Sequence, residues 1–146
     1  MPIVSGSYFS LDVPSGTTDE STYAYALPAR ANFRPSIVVK TERLAEPTPL
    51  GTYVQQQLEK IKGVLPNVEI VSVTPPGQGE PPAYTSVYDF GDATQRVRQK
   101  QRYMVLDDQV RIVTMTATCL RDTFAQTEAM FDAIFRSFKP VARTTR

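Results

Sequence analysis

Three consecutive segments in the second half of the chain alternate between apolar and polar residues, and short turns join them. The segments cover residues 83–90, 97–106 and 109–117, with turns at Gly91 to Ala93 and at Asp107-Asp108. Antiparallel strands accept such short connections, whereas parallel strands need a crossover of a dozen or more residues. The pattern therefore predicts a three-stranded antiparallel meander as the centre of the fold.

The rest of the chain adds four predicted strands and two predicted helices. The strands are expected at residues 7–13, 22–27, 36–43 and 68–74, where β-branched and aromatic residues recur between turn signals. One helix is expected from Pro49 to about Val64, with Thr48 as its N-cap. The other is expected over residues 124–138, where Thr123 and Gln126 form a capping-box pattern.

This order of elements is typical of an α+β protein with a mainly antiparallel sheet. We predict one domain over residues 1–142, a short tail over 143–146, and a twisted antiparallel sheet flanked by two α-helices. Several strands carry bulky apolar residues on both faces. We expect the two helices to cover one face of the sheet, so that part of the other face remains apolar and needs a partner, and this favours a homodimer.

Three glutamines occupy positions that the periodicity reserves for apolar residues. Gln57 falls inside the apolar stripe of the first predicted helix, and Gln99 and Gln101 share a strand face with Tyr103. A buried amide without a partner costs about 1–3 kcal/mol. These amides therefore find partners inside the protein, lie on a solvated face, or meet a ligand such as an apolar helix.

The composition argues against an enzyme. The chain has no histidine, so it lacks the usual general base and the usual metal ligand. Asp107-Asp108 fits a hairpin turn, and Cys119, the single cysteine, fits a small buried apolar residue. We therefore predict no catalytic residues, no metal site and no cofactor.

Four cations alternate along the second strand of the meander, at Arg96, Arg98, Lys100 and Arg102. They suit either contact with nucleic-acid phosphates or the solvated face of an edge strand, where charges oppose aggregation. Because the formal net charge is only +1, the edge strand is the favoured interpretation and no nucleic-acid partner is expected.

The chain also lacks the sequence features of membrane insertion and export. No apolar run approaches the roughly 20 residues of a membrane span. The first residues carry no basic segment followed by an apolar one, and a single cysteine excludes an internal disulfide. The expectation is a cytoplasmic protein without stable membrane insertion.

Several short motifs, in this order, resemble the type VI secretion effector-associated (Eag-like) chaperones of the DcrB-related, or DUF1795, superfamily. Each motif alone is weak, but their order and spacing extend over nearly the whole chain. The motifs are LDVP at 11–14, YALPA at 25–29, YVQQQLE at 53–59 followed by Leu65-Pro66, RQKQRYMV at 98–105, VTMTAT at 113–118, and the helix ending at Phe138.

The resemblance implies a cytoplasmic dimer that binds and shields the N-terminal transmembrane helices of a secreted effector, often one with a PAAR domain. In that family a glutamine on the helix and another on a strand hydrogen-bond the client, and Gln57 and Gln101 match them by position. Thr22 and Ala24 stand where relatives have aliphatic groove residues. Tyr103 and Leu65 complete the expected client-binding set. The alternative is a regulatory or scaffold module that docks on a folded soluble protein, as the distantly similar PsbP/Mog1-type sandwiches do.

Overall fold

The computed structural model describes residues 3–5, 10–12, 14–15, 22–28, 33–77, 82–106 and 110–139. A 3₁₀ turn, Arg121–Thr123, leads directly into the second helix. The elements in chain order are β1 Ile3–Ser5, β2 Ser10–Asp12, β3 Thr22–Ala26, β4 Ser36–Arg43, α1 Leu50–Val64, β5 Glu69–Thr74, β6 Ala83–Gly91, β7 Arg96–Val105, β8 Arg111–Leu120 and α2 Phe124–Arg136.

Six strands form one antiparallel sheet in the order β3-β4-β8-β7-β6-β5, while β1 and β2 pair with each other. Strands β6, β7 and β8 are consecutive neighbours, as the meander pattern predicts. The α+β class is therefore confirmed. The strand predicted over residues 7–13 is confirmed over Ser10–Asp12, which forms β2, and the rest of that segment lies outside the described residues. Its partner β1 was not predicted from the sequence.

The two helices pack on opposite faces of the sheet. On one face, α1 buries Tyr53, Val54 and Leu58 against the side chains of β6, β7 and the start of β8. On the other, α2 buries its phenylalanines against the opposite side chains of β4 and β8. The idea that both helices cover a single face is wrong, because apolar residues on both sides of β8 give each helix its own core.

The predicted phenylalanine stripe of α2 is confirmed. Phe124, Phe131 and Phe135 are buried, and Ile134 and Phe138 pack against the same cluster. Cys119 belongs to this cluster and is fully buried, as expected of a small apolar residue. Burial raises the pKa of its thiol, so the group remains a protonated packing element.

Neither predicted helix cap makes its expected side-chain hydrogen bond, although Thr123 does stand at the N-cap of α2. The Thr48 hydroxyl donates to the carbonyl of Glu46 at 3.3 Å, and the residue at the N-cap of α1 is Pro49. Its carbonyl accepts the amide of Tyr53 at 3.1 Å. The Thr123 hydroxyl donates to the carbonyl of Leu120 at 3.1 Å within the 3₁₀ turn. Each hydroxyl satisfies the preceding turn instead of the helix amides.

The basic strand is not an edge strand, because β7 lies between β6 and β8. Two of its cations, Arg98 and Lys100, form short ion pairs within this chain. Arg98 pairs with Asp89 of β6 at 2.7 Å. Lys100 reaches Glu128 at 3.0 Å and Asp132 at 2.6 Å on α2. Arg98 and Lys100 therefore hold the α2 side of the sheet together.

The predicted turn after β6 is confirmed. Gly91 has a φ of 107°, a backbone conformation that favours glycine. The carboxylate of Asp92 accepts the Thr94 hydroxyl at 2.7 Å and the amides of Gln95 at 2.8 Å and Thr94 at 3.0 Å, and these bonds lower the pKa of that carboxyl. The predicted turn at Asp107-Asp108 and the tail over 143–146 lie outside the described residues.

Candidate functional site

Part of the sheet on the α1 side is not covered by the helix. The α1 cluster takes its strand residues from β5, β6, β7 and the beginning of β8, whereas the side chains of β3 are all exposed. We call the uncovered area the open face. It is lined by small side chains from β3, β4 and β8: Ala24, Ala26, Ser36, Val38, Thr116 and Thr118.

Strand register arranges the open face in two rows that run across the sheet. One row joins Ala24, Val38, Thr116, Gln101 and Ser86. Neighbouring strands lie about 4.8 Å apart, so the centres of β3 and β8 are about 10 Å apart, close to the diameter of an α-helix. The open face is thus wide enough to form the floor for one helix.

The second row is built in the same way, two residues further along each strand. It joins Ala26, Ser36, Thr118, Gln99 and Tyr88. We name the two rows after their glutamines, the Gln101 row and the Gln99 row. In each, an amide on β7 stands between aromatic or hydroxyl groups below α1 and a threonine on the open face.

The amide of Gln101 finds its partners inside the protein. Its Nε2 donates to Thr116 Oγ1 at 3.0 Å, and its Oε1 accepts the hydroxyls of Ser86, at 3.4 Å, and of Tyr103. Gln101 is only 8% exposed. The interpretation of Gln101 as a residue on a solvated face is therefore wrong, because neighbouring strands on both sides supply hydrogen-bonding groups.

Gln99 makes the equivalent contacts in its own row. Its Nε2 donates to Thr118 Oγ1 at 3.0 Å, and its Oε1 accepts the hydroxyl of Tyr88. Burial raises the pKa of Tyr88, and burial likewise raises the pKa of Tyr103 to about 12. Both phenols therefore stay protonated near neutral pH and act as donors to the amides.

Tyr103 and Leu65 are covered by the protein itself. Tyr103 is 1% exposed and meets Tyr53 of α1 edge to face, with ring centroids 6.2 Å apart. Leu65, directly after α1, packs against the α1 cluster. Tyr103 therefore orients Gln101, and Leu65 supports the helix, whereas Thr22 and Ala24 are exposed on the same side of the sheet as Gln101.

Gln57 is half-buried and lies one turn after Tyr53 on α1. The helix runs alongside β6, because Gly51 lies beside Tyr84 while the Pro66 carbonyl accepts the Gly91 amide at 3.0 Å. One helical turn advances about 6 Å and two strand residues about 6.6 Å. The step from Tyr53 to Gln57 along α1 is therefore about as long as the step from Tyr103 to Gln101 along β7. Because Tyr53 contacts Tyr103, this places Gln57 beside the Gln101 row.

Sequence reasoning did not identify Thr116 and Thr118 as site residues. A signal was present, since threonines recur at every second position of β8, at 114, 116 and 118. Such a run places all three hydroxyls on one face of the strand. Thr114 differs in that it pairs with Tyr103 of β7, which is covered by α1.

No helix within the described ranges is long and apolar enough to cross a membrane. Residues 3–5, 10–12, 14–15, 22–28, 33–77, 82–106 and 110–139 likewise contain no group of three acidic or cysteine side chains that could hold a metal ion.

Three solved structures share this fold. The Pseudomonas aeruginosa protein PA94, of unknown function, superposes with a TM-score of 0.77 and 17% sequence identity. The match covers 98% of this chain and 99% of PA94. The Ran-binding protein Mog1p of Saccharomyces cerevisiae matches 80% of this chain and 70% of its own, at a TM-score of 0.54 and 13% identity. The cyanobacterial PsbP of Synechocystis sp. PCC 6803 matches 90% of this chain and 99% of its own, at a TM-score of 0.54 and 11% sequence identity. The predicted PsbP/Mog1-like sandwich is confirmed.

No curated protein matches the sequence. A family model does: the DcrB model matches residues 9–137, which include the six-stranded sheet and both helices. The match extends over most of the chain, and so this protein belongs to the DcrB family.

Proposed function

We propose that the protein is a cytoplasmic, non-enzymatic chaperone that binds and shields the N-terminal transmembrane helices of a type VI secretion effector before export. The client in this proposal is the hydrophobic N-terminal segment of a PAAR-type effector. Membership of the DcrB family and the resemblance to effector-associated chaperones support the assignment.

The observation that carries the proposal is the open face beside α1. Its floor consists of alanine, serine, valine and threonine side chains at the width of one helix, and α1 supplies a wall along one side. Small side chains let another backbone approach closely, which is how apolar helices pack together in membranes. Lys40 is the charged side chain of the Thr22–Lys40–Thr114 row at one end of the open face.

The test is capture of a client segment by variants that obstruct the open face. The hydrophobic N-terminal segment of a PAAR-type effector, fused to a soluble carrier, is co-expressed with the protein. Ala24→Arg and Ala26→Arg place a long cation on the face and are expected to reduce capture at least ten-fold. Ala125→Arg and Ala129→Arg, at exposed positions of α2, are the matched controls. Equal capture by all four variants would exclude the open face as the binding site.

A homodimer forms part of the proposal. In the described sheet β3 is an outer strand, and Tyr23 and Tyr25 are 40% and 55% exposed on its α2 side. An outer strand with exposed aromatic residues suits pairing with a second copy. Light scattering at micromolar concentration is expected to give twice the 16.3 kDa chain mass, and the double variant Tyr23→Ser/Tyr25→Ser is expected to give one chain mass. A monomeric unmodified protein would rule out this part of the proposal.

The second candidate function is docking on a folded soluble protein. The similar structure of Mog1p, whose description names it as Ran-binding, favours this alternative. The two candidates differ in what the open face recognises. If the carrier fusion is not captured while a folded domain of the same effector is, the scaffold role replaces the chaperone role.

A further inference from the structure

Two threonine hydroxyls on the open face accept hydrogen bonds from the glutamines behind them. Thr116 Oγ1 accepts from Gln101 and Thr118 Oγ1 accepts from Gln99, each at 3.0 Å. A threonine hydroxyl that accepts one bond still has its own hydrogen to donate. Within the described part of the chain, no group accepts the hydrogen of either hydroxyl. Both threonines are half-buried and belong to the open face.

Hydroxyl groups beneath α1 determine which way the two glutamine amides are oriented. Tyr103 and Ser86 donate to Oε1 of Gln101, and Tyr88 donates to Oε1 of Gln99. With its oxygen engaged on that side, each amide turns its nitrogen toward β8. The threonine oxygens receive these N–H groups, and the hydroxyl hydrogens are left to point away from the glutamines.

We propose that Thr116 and Thr118 are the hydrogen-bond donors that the open face offers to a bound helix, and that Gln101 and Gln99 are positioning residues. This inference rests on the proposed function. The acceptors are backbone carbonyl oxygens of the client helix. Direct contact between the client and Gln101 is not required, because that amide is already engaged on both sides.

The spacing of the two donors suits a helix. Residues two apart on a strand lie about 6.6 Å apart, and carbonyls one turn apart on a helix are separated by about 5.4–6 Å along its axis. Large side chains keep other groups away from the carbonyls of an apolar helix, whereas glycine and alanine expose them. The preferred client is therefore an apolar helix with small residues every fourth position along the side that meets the sheet.

The experiment uses two designed 20-residue helices in direct competition. Both are leucine-rich and fused to soluble carriers with different tags. One has glycine at every fourth position and the other has leucine throughout. The unmodified protein is expected to prefer the glycine-bearing helix by about 25-fold, since a neutral hydrogen bond is worth roughly five-fold in affinity and two are formed.

Thr116→Val/Thr118→Val removes both hydroxyls while nearly preserving shape, and the preference is expected to vanish. Thr116→Ser/Thr118→Ser keeps the hydroxyls and is expected to keep the preference. Thr41→Val is the matched control, because Thr41 is a half-buried threonine that faces the α2 side of β4. If the double valine variant melts too early, each single valine variant is expected to lose about five-fold.

The outcomes separate the two proposals. Failure of the unmodified protein to capture either helix would refute the proposed function. Equal capture of both helices, or a preference that survives Thr116→Val/Thr118→Val, would overturn the threonine inference and leave the chaperone role standing. A preference lost in the valine variant and retained in the serine and Thr41 variants would establish the threonines as donors.

Discussion

Asp89 on β6 and Arg98 on β7 face each other across the sheet and form a two-pronged ion pair. The Arg98 Nε lies 2.7 Å and its Nη2 2.9 Å from the two carboxylate oxygens. The Asp89 side chain is 3% exposed, and the Arg98 guanidinium also stacks on the Phe124 ring at 5.0 Å. This pair therefore joins two central strands to the first turn of α2.

Removing one partner of this pair leaves the other as an uncompensated buried charge. We expect Arg98→Met to lower the free energy of unfolding by about 3–5 kcal/mol, measured by urea denaturation. The exposed pair of Lys62 and Glu59, at 3.2 Å, gives the control: Lys62→Met is expected to change stability by less than about 1 kcal/mol. A loss below about 1 kcal/mol for Arg98→Met would contradict the structural role of the pair.

Stability is expected to fall in alkaline solution. Burial raises the pKa of Tyr103 to about 12, against about 10 in the unfolded chain. The folded state holds the phenolic proton more tightly, so this contribution is complete below pH 10 and disappears between pH 10 and 12. Thermal melting of Tyr103→Phe is expected to fall less steeply over that range than melting of the unmodified protein. Parallel curves for the two proteins would count against this assignment.

Two glycines of α1 are expected to respond to alanine with opposite signs. A Cβ on Gly51 would lie 2.7 Å from the Tyr84 hydroxyl oxygen, whereas a Cβ on Gly63 would meet nothing within 4 Å. Gly63→Ala is expected to stabilise by about 0.5–1 kcal/mol through helix propensity. Gly51→Ala is expected to destabilise by about 1 kcal/mol or more through overpacking.

The double variant Gly51→Ala/Tyr84→Phe checks the cause of that loss. Without the phenolic oxygen, the nearest ring atom to the new Cβ is Cζ at 3.2 Å. Part of the lost stability should return, and the two changes should therefore be non-additive. Strict additivity in thermal or urea unfolding would mean that the Tyr84 hydroxyl is not the obstacle.

Gln101→Leu and Gln57→Leu are expected to differ sharply in stability. Leucine at 101 leaves the hydroxyls of Ser86, Tyr103 and Thr116 without their partner, at a cost of about 1–3 kcal/mol. Leucine at 57, a half-buried helix position, should be nearly neutral. Both replacements should weaken capture of the effector segment, and thermal melting beside pull-down separates a loss of fold from a loss of binding. A Gln101→Leu protein as stable as the original would show that its network is dispensable.

The strands of the meander and the apolar stripes of both helices were predictable, because alternation and helical spacing are local properties. The side on which each helix packs was not. Met115 and Ile112 point to opposite faces of β8 and both are buried, so either face could have accepted a helix. The alternation along one strand does not specify how the strands pair across the sheet. That pairing determines that each face is covered by one helix.

The hydrogen-bond partners of Gln101 could not be predicted from the sequence for a related reason. Ser86 and Thr116 each lie 15 residues from it along the chain and become its neighbours only through the register of β6 and β8. The capping patterns failed because the competing turns used the same hydroxyls. Thr123 fits a capping box by spacing alone, but the 3₁₀ turn that precedes α2 engages its side chain.

The two faces of strand β7 carry side chains with different structural roles. Its odd-numbered positions hold Gln99 and Gln101, and its even-numbered positions hold the cations that anchor α2. A misalignment by one residue would place Arg98 and Lys100 beneath α1 and the amides among the phenylalanines of α2. Both errors would bury polar or charged groups without partners. A wrong register of β7 is therefore destabilised on both faces of the sheet. The register that orders the Gln99 and Gln101 rows therefore also places the contacts that hold α2 on the sheet.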